Sequence, residues 1–242
     1  MPPNPLAAET PDLPGVAPLA DARGHVLERI ANACARVGRD PASVALVAVS
    51  KTVPAATLRA AVAAGLMTFG ENRVQEAEAK IGEVEGATWH LVGPLQSNKV
   101  RRALAAFTTI ETIDSVDLAR RLDRLAGEAR PGERVPVLLQ VNVDGDPAKA
   151  GFGAAELAAA AESIATLGRL DVRGLMTVGR LVAAPEEARS TFVGLRMLSE
   201  RLRGSASIGP ELSMGMSDDF EVAIEEGATT VRIGRALFGH RH

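Results

Sequence analysis

One lysine of the chain stands where covalent chemistry could take place. Lys51 directly follows the apolar run 44–50 (VALVAVS), which is typical of a buried strand. If that strand ends above apolar walls, the amine is desolvated and loses its proton more readily. A neutral lysine amine is the nucleophile that forms a Schiff base with an aldehyde. Position alone is equally compatible with a solvated or ion-paired lysine at a strand end.

The choice of basic residues favours the covalent interpretation. Of the 27 lysines and arginines, only Lys51, Lys80, Lys99 and Lys149 are lysines. Arginine supplies positive charge equally well, but its guanidinium does not form an imine. In a chain that otherwise prefers arginine, a lysine at a strand end is therefore a candidate for Schiff-base chemistry.

Two later strand-to-helix turns contain small residues that could approach an anion. The first contains Ser213, Met214 and Gly215, and the second contains Gly234 and Arg235. Small residues let backbone N–H groups come close to a phosphate, and a helix N-terminus adds a favourable partial charge. Either glycine alone could simply permit a tight turn. Together, after the last two strands of a barrel, they predict a phosphate site.

Arg232 lies between Val231 and Ile233 in the last predicted strand. Side chains alternate along a strand, so Arg232 is on the opposite face from its two neighbours. If those neighbours pack against helices, the guanidinium points into the barrel and needs a carboxylate or a ligand. A reactive lysine, a phosphate site and an inward arginine predict a phosphorylated aldehyde. The ligand is then a sugar phosphate, as in a class I aldolase, or pyridoxal 5'-phosphate (PLP).

The elements that must position these residues alternate between strands and helices. Short apolar runs that are each followed by a helical stretch indicate parallel strands with helical crossovers. The predicted strands are 44–50, 66–70, 88–92, 108–113, 135–143, 171–178, 211–214 and 229–233. Eight such units in about 220 residues predict an α/β fold, a single (β/α)8 TIM-type barrel. A doubly wound open sheet is disfavoured, because the first turn contains no glycine.

The N-terminal region predicts an extra helix ahead of the barrel and a tail ahead of that helix. Asp21 is a good N-cap, and Val26, Ile30 and Cys34 follow at helical spacing. Residues 1–20 contain six prolines and no lysine or arginine. They therefore predict a disordered tail and not a signal peptide. The barrel domain is expected to span 21–242.

Composition argues against several classes of protein. The formal charge of −3 gives no sign of a nucleic-acid surface, and the single cysteine, Cys34, excludes a disulfide framework. No apolar stretch approaches the ~20 residues of a membrane span, and no spacing of histidines and carboxylates resembles a metal site. His90 beside Trp89 is typical of a hydrogen-bonded core histidine. We therefore expect a cytoplasmic protein with no nucleic-acid, membrane or metal partner.

Several long motifs are similar to those of one family. The chain resembles the YggS/PROSC family, the PLP homeostasis proteins, over about residues 25–239. The motifs are VAVSKTVP (47–54), FGENRVQE (69–76), WHLVGPLQSNK (89–99), VNVDGDPAKAGF (141–152), RGLMTV (173–178), LSMGMSDDFEVAIEEG (212–227) and VRIGRALFG (231–239).

The resemblance implies a PLP-binding barrel similar to the N-terminal domain of alanine racemase. The residues it places around PLP are Lys51, Asn72, Ser213, Arg232, Gly234 and Arg235, and the turn after the seventh strand adds Met214 and Gly215 to the predicted site. It implies that Lys51 carries PLP as a Schiff base. It also implies that Arg232 faces the pyridine nitrogen, which keeps that nitrogen unprotonated and makes the ring a weaker electron sink. The family often has threonine or serine where Arg235 stands, so the role of Arg235 stays open.

Two functions from different classes follow from this resemblance. The first is a non-catalytic protein that stores PLP and delivers it to apo-enzymes, and the alternative is an amino-acid racemase. Racemases of this fold use the lysine and a tyrosine from a second domain as their two bases. The chain has no tyrosine, and no second domain is expected, which favours a monomeric carrier. An aldolase ranks third.

Lys149, in a loop rich in Gly and Asp, is a candidate second amine during transfer of PLP.

Overall fold

Eight parallel strands close into a barrel in the order of the sequence, with β8 paired to β1. The computed structural model describes residues 15–180, 182–203 and 208–239 of the 242. The strands are β1 (Ala45–Val49), β2 (Thr68–Glu71), β3 (Thr88–Leu91), β4 (Thr109–Ile113), β5 (Val135–Gln140), β6 (Leu170–Met176), β7 (Glu211–Ser213) and β8 (Thr230–Ile233). The predicted (β/α)8 barrel is confirmed.

Helices follow the strands and cover the outside of the barrel. Those in the described residues are α1 (Val16–Arg36), α2 (Ala55–Ala63), α3 (Val74–Ile81), α4 (Val100–Ala106), α5 (Val116–Ala129), α6 (Leu157–Ala165), α7 (Arg189–Arg203), α8 (Phe220–Glu225) and α9 (Arg235–Phe238). Because side chains fill the barrel on one face and helices cover the other, a strand such as β4 is buried at every position. None of the described helices is long and apolar enough to cross a lipid bilayer.

The helix ahead of the barrel begins earlier than the sequence predicts. Helix α1 starts at Val16, so Asp21 lies inside the helix and is not its N-cap. Pro18 falls in the first turn, where a proline is tolerated because the N–H groups there have no partner within the helix. The predicted tail, 1–20, is therefore wrong over its last five residues, and residues 1–14 lie outside the described part of the chain. Cys34 is fully buried in α1, as predicted.

Two strand boundaries differ from the prediction in ways that matter for the site. Strand β2 extends to Glu71, one residue beyond the predicted run, so this carboxylate belongs to the barrel wall. Strand β1 ends at Val49, one residue before the end of the predicted run, so Lys51 lies in the turn two residues after the strand. The register explains both ends, because the pairing of β1 with β2 stops at Val49 and Gly70, whereas the pairing of β2 with β3 continues to Glu71 and Leu91.

Candidate functional site

Lys51 and Asn72 lie at neighbouring strand ends on the mouth of the barrel. The register pairs Val49 with Gly70, and each of the two predicted site residues follows its strand's paired residue by two positions. All eight strands are parallel, so their carboxyl ends, including those of β7 and β8, meet at this same mouth. Function in such barrels is carried by the loops at this mouth.

A tight, strained turn presents Lys51. The N–H of Val53 donates to the carbonyl oxygen of Ser50 at 2.9 Å and closes the turn around Lys51 and Thr52. Thr52 has a φ of 64°, in the left-handed region that residues branched at Cβ avoid. Backbone strain of this kind costs about 1–3 kcal/mol and is common at ligand sites. Lys51 is half-buried, and its amine has no hydrogen bond or ion pair with the described residues.

The loops after β7 and β8 leave backbone donors free. In the described part of the chain, the N–H groups of Gly234 and Arg235 donate to no protein acceptor. The next N–H, that of Ala236, donates to Ser217 Oγ at 3.4 Å and links the two loops. Gly215 has a φ of 92°, and a Cβ there would lie 2.6 Å from the Cβ of Ala223. Glycine is therefore required for the first loop to pack against α8.

Three of the predicted site residues have other partners in this structure. The N–H of Met214 donates to the carbonyl of Thr230 at 3.1 Å, and the methionine side chain is buried in the core. The Arg235 guanidinium forms an exposed ion pair with Asp218. The hydroxyl of Ser213 is engaged inside the barrel. The two loops therefore offer an anion the backbone N–H groups of Gly234 and Arg235, and not the side chains of Ser213, Met214 and Arg235.

A continuous hydrogen-bonded chain crosses the inside of the barrel; we call His90, Glu111, Ser213 and Arg232 the inner polar chain. Nδ1 of His90 lies 2.7 Å from Glu111 Oε1, and Ser213 Oγ donates to Glu111 Oε2 at 2.6 Å. Arg232 donates to Ser213 Oγ at 2.6 Å and to the carbonyl of Thr177 at 2.6 Å. Strands β4 and β7 are not neighbours, so the contact between Glu111 and Ser213 crosses the interior. The guanidinium therefore lies inside, on the face that alternation predicts.

Charges within the inner polar chain stabilise one another. Burial by itself raises the pKa of Glu111, but the hydrogen bond to His90 and the charge of Arg232 bring that pKa below its ordinary value. Burial also lowers the pKa of Arg232, against the charges of Glu111 and Asp219. Arginine does not lose its proton in proteins. A fixed positive charge is thus held at the base of the mouth.

A second buried cluster lies on the outside of the barrel wall; we call Ser50, Glu71 and Lys80 the outer clamp. Lys80 of α3 donates to Glu71 Oε1 at 2.7 Å and to the carbonyl of Ser50 at 2.8 Å. Ser50 Oγ also donates to Glu71 Oε1 at 2.7 Å. The other carboxylate oxygen, Oε2, is buried and has no partner among the described residues. Burial raises the pKa of Glu71, although the hydrogen bonds from Lys80 and Ser50 oppose this.

A small cavity of about 220 Å³ lies beside the mouth and brings Asn72 and Lys149 together. Gln140, at the end of β5, also lines it. Gly93 allows the loop after β3 to approach Asn72, since a Cβ there would lie 2.3 Å from the Asn72 carbonyl oxygen. Lys149 Nζ is 3.4 Å from the carbonyl of Val178, so its amine is held at the cavity wall.

Sequence reasoning missed Glu71, Lys80 and Glu111 as members of the site. Glu111 carried a usable signal, because it interrupts the predicted strand 108–113 and a buried charge needs a partner. His90 was predicted to be a hydrogen-bonded core histidine, and its contact with Glu111 agrees. Nothing in the local pattern pointed to the contact between Lys80 and Glu71.

Comparison with known proteins places the chain in a family. The family model described as alanine racemase, N-terminal domain, matches residues 25–242. A pyridoxal phosphate homeostasis protein of Pseudomonas aeruginosa is 45% identical over 228 residues, which cover 92% of this chain and 96% of the relative. The chain belongs to the pyridoxal phosphate homeostasis protein family. The resemblance predicted from the motifs is thereby confirmed.

Two solved structures of proteins similar to this chain have the same barrel. The crystal structure of an unknown protein from Bifidobacterium adolescentis has a TM-score of 0.85 at 38% identity, and the match covers 92% of this chain and 95% of that protein. PipY of Synechococcus elongatus, solved with PLP bound, has a TM-score of 0.79 at 41% identity. That comparison covers 91% of this chain and 100% of PipY. The barrel and its loops can therefore be compared over nearly their whole length.

Proposed function

We propose that the chain binds PLP through Nζ of Lys51 as a Schiff base and acts in PLP homeostasis. In this role it stores the cofactor and delivers it to PLP-dependent apo-enzymes, as a cytoplasmic monomer without a catalytic reaction of its own. The observation that carries the proposal is the Lys51 amine. It lies on a strained turn at the barrel mouth without a partner among the described residues. Family membership and the PLP-bound relative support the cofactor.

The residues at the mouth fit PLP. A phosphate needs hydrogen-bond donors, and the N–H groups of Gly234 and Arg235 are available to it. Gly215 keeps the neighbouring loop free of a side chain, and Asn72 stands at the strand end beside Lys51. The buried Arg232 provides a positive charge below the mouth. We therefore assign Lys51, Asn72, Gly215, Arg232, Gly234 and Arg235 to the PLP site, the last through its backbone.

Ser213 and Met214 have a supporting role in this proposal. The Ser213 hydroxyl holds Arg232 against Glu111, and Met214 anchors its loop through the hydrogen bond to Thr230. When bound, PLP supplies an aldehyde that reacts reversibly with amines and a ring that withdraws electrons. A guanidinium beside the ring nitrogen disfavours protonation of that nitrogen and so weakens electron withdrawal. Arg232 thus favours holding PLP over activating it.

The proton-transfer groups at the mouth favour a carrier over a racemase. A racemase needs a base on each face of the substrate carbon. The chain contains no tyrosine, and His90 is engaged with Glu111 inside the barrel. A racemase-like enzyme remains the second candidate, and a turnover assay separates the two.

Lys149 is proposed as a second amine that receives PLP transiently during delivery. Its side chain lines the cavity beside Asn72, and its Nζ is 3.8 Å from Asp146 Oδ2. A PLP-transfer assay to an apo-enzyme tests this role. Lys149→Ala is expected to slow transfer while PLP binding to Lys51 is retained. An unchanged transfer rate contradicts it.

The proposed function is tested by adding PLP to the apo-protein and following the visible absorbance of the bound cofactor. Wild type and a Lys99→Ala control are expected to turn yellow, whereas Lys51→Ala is not. The holo-protein is then mixed with a PLP-dependent apo-enzyme and, separately, with L-alanine. Restored activity of the apo-enzyme without racemisation supports a carrier. Racemisation of alanine with many turnovers supports the enzyme, and an equally yellow Lys51→Ala variant overturns the assignment.

A further inference from the structure

The outer clamp connects two other parts of the chain to the residue that precedes Lys51. Ser50 is fully buried, and each of its polar groups is engaged. Its N–H donates to the carbonyl of Gly70 at 2.9 Å, and its hydroxyl donates to Glu71. Its carbonyl accepts from Lys80 and from the N–H of Val53. Ser50 is therefore fixed by strand β2 and helix α3 together.

Beyond Ser50, the turn is anchored at its far end by Val53, which is buried in the core. It is closed by the hydrogen bond between Val53 and Ser50, and it contains Thr52 in the left-handed region. A threonine there tends to relax towards ordinary backbone angles and persists only when the surroundings impose the conformation. Such a relaxation would redirect Lys51, because its side chain is tied to no described residue. The direction of the Lys51 amine thus depends on Ser50.

Lys80 and Glu71 are an unusual choice for a purely structural contact. A buried lysine is rare unless it is paired, and the pair here leaves Oε2 of Glu71 buried with no partner in the described part of the chain. Apolar residues of similar size often serve stability equally well at such a position. What apolar residues lack is a donor for the carbonyl of Ser50 and an acceptor for its hydroxyl.

We propose that Lys80 and Glu71 are positioning residues that fix Ser50, and with it the left-handed Thr52 turn, so that Lys51 is presented at the barrel mouth. The functional consequence rests on the proposed attachment of PLP to Lys51. The geometric consequence does not, since it concerns the turn in the absence of PLP. The two are therefore measured separately.

The geometric arm uses amide hydrogen exchange of the PLP-free protein. Lys80→Met removes the donor to the Ser50 carbonyl and to Glu71 Oε1 and keeps the side-chain length. We expect the amide of Val53 to exchange about tenfold faster, as for the loss of one hydrogen bond to a charged group. Arg59→Met is the control, because it removes an exposed cation that joins α2 to Glu83, two residues after the end of α3. The control is expected to leave Val53 unchanged, and equal exchange in Lys80→Met and wild type overturns the proposal.

The functional arm measures the dissociation constant of PLP in a double-mutant cycle. Lys80→Met is expected to weaken PLP binding about tenfold. Thr52→Gly removes the strain, because glycine adopts positive φ freely. It is therefore expected to restore most of the affinity in the Lys80→Met background and to change little in wild type. A loss of affinity that Thr52→Gly does not relieve overturns the proposal.

A milder variant keeps the test decisive if Lys80→Met does not fold. Ser50→Ala removes only the hydroxyl that donates to Glu71. The same cycle with Thr52→Gly is expected to show the same relief, with a smaller effect on Val53 exchange. If wild type carries no PLP on Lys51, the proposed function fails while the exchange result still decides the positioning role.

Discussion

The inner polar chain and the outer clamp each contain a buried glutamate of the barrel wall, but the two carboxylates differ in their hydrogen-bond partners. Both oxygens of Glu111 have partners, and the positive charge of Arg232 lies within the same chain. Glu71 shares one oxygen between Lys80 and Ser50 and leaves the other without a described partner. The pKa of Glu111 is accordingly lowered, whereas burial raises that of Glu71. The same residue type is stabilised as a carboxylate in one place and penalised in the other.

This difference separates two tasks of a cofactor site. The inner polar chain fixes a charge, since Arg232 must stay ionised and in place below the mouth. The outer clamp fixes backbone, since its hydrogen bonds meet at Ser50 beside the strained Thr52 turn. We expect the removal of Glu111 to affect the whole fold and the removal of clamp contacts to affect mainly the Lys51 turn.

The largest expected effect comes from Glu111→Gln. The variant keeps the shape of the side chain but removes the negative charge of Glu111 that acts on the buried guanidinium of Arg232. We expect a loss of about 3 kcal/mol or more in the free energy of unfolding, measured with urea on the PLP-free protein.

Two controls accompany this substitution. Replacing Glu111 with Leu and Arg232 with Met together removes both charges and is expected to recover much of the loss. Glu128→Gln breaks an exposed ion pair with Arg101 and should cost less than about 1 kcal/mol. A Glu111→Gln variant as stable as the Glu128→Gln control would contradict the account of the inner polar chain.

An intermediate effect is expected in the pH dependence of stability. The contributions of Glu111 and Glu71 to the free energy of unfolding should change with pH in opposite directions. The pKa of Glu111 is lowered in the folded protein. Its contribution to the free energy of unfolding is therefore complete above the ordinary pKa of 4.5 and is lost as the pH falls through the lowered pKa. The pKa of Glu71 is raised in the folded protein. Its contribution to the free energy of unfolding is therefore present below pH 4.5 and is lost as the pH rises through the raised pKa.

The comparison is made by subtracting the unfolding free energies of Glu111→Gln and Glu71→Gln from that of wild type at each pH. The first difference should increase with pH and the second should decrease, because glutamine does not titrate. Two differences with the same slope would show that the structural contrast between the clusters has no electrostatic consequence.

The smallest expected effect concerns the exposed pair between Arg235 and Asp218, which lies outside both clusters. Arg235→Ser should change the free energy of unfolding by less than about 1 kcal/mol and the PLP dissociation constant by less than about tenfold. Asp218→Asn frees the guanidinium and serves as the matched variant. A larger loss of affinity in Arg235→Ser would mean that the guanidinium leaves Asp218 for the phosphate.

The barrel and the main chemical candidates could be predicted from the sequence because their signals are local. Apolar runs separated by helical stretches predict parallel strands. Alternation around Arg232 predicts an inward charge, and Lys51 after an apolar run predicts an amine at a strand end. The N-terminal boundary failed because proline content indicated disorder, although Pro18 fits the first turn of a helix.

The two clusters could not be predicted, because each depends on the register of the closed barrel. Glu111 meets Ser213 only across the interior, over a sequence separation of 102 residues. Glu71 faces Lys80 only because β2 extends to residue 71 and α3 returns along its outer side. A strand that ended at residue 70 would place this carboxylate in a loop.

The most direct test of the account is the position of the covalent label after reduction. The holo-protein is treated with borohydride and digested, and the pyridoxyl group is located by peptide mass spectrometry. We expect the label on Lys51, with Lys80 unlabelled because its amine is buried against Glu71 and Ser50. Label found mainly on Lys80, Lys99 or Lys149, with Lys51 unmodified, would contradict the central claim that the strained turn after β1 presents the amine that holds PLP.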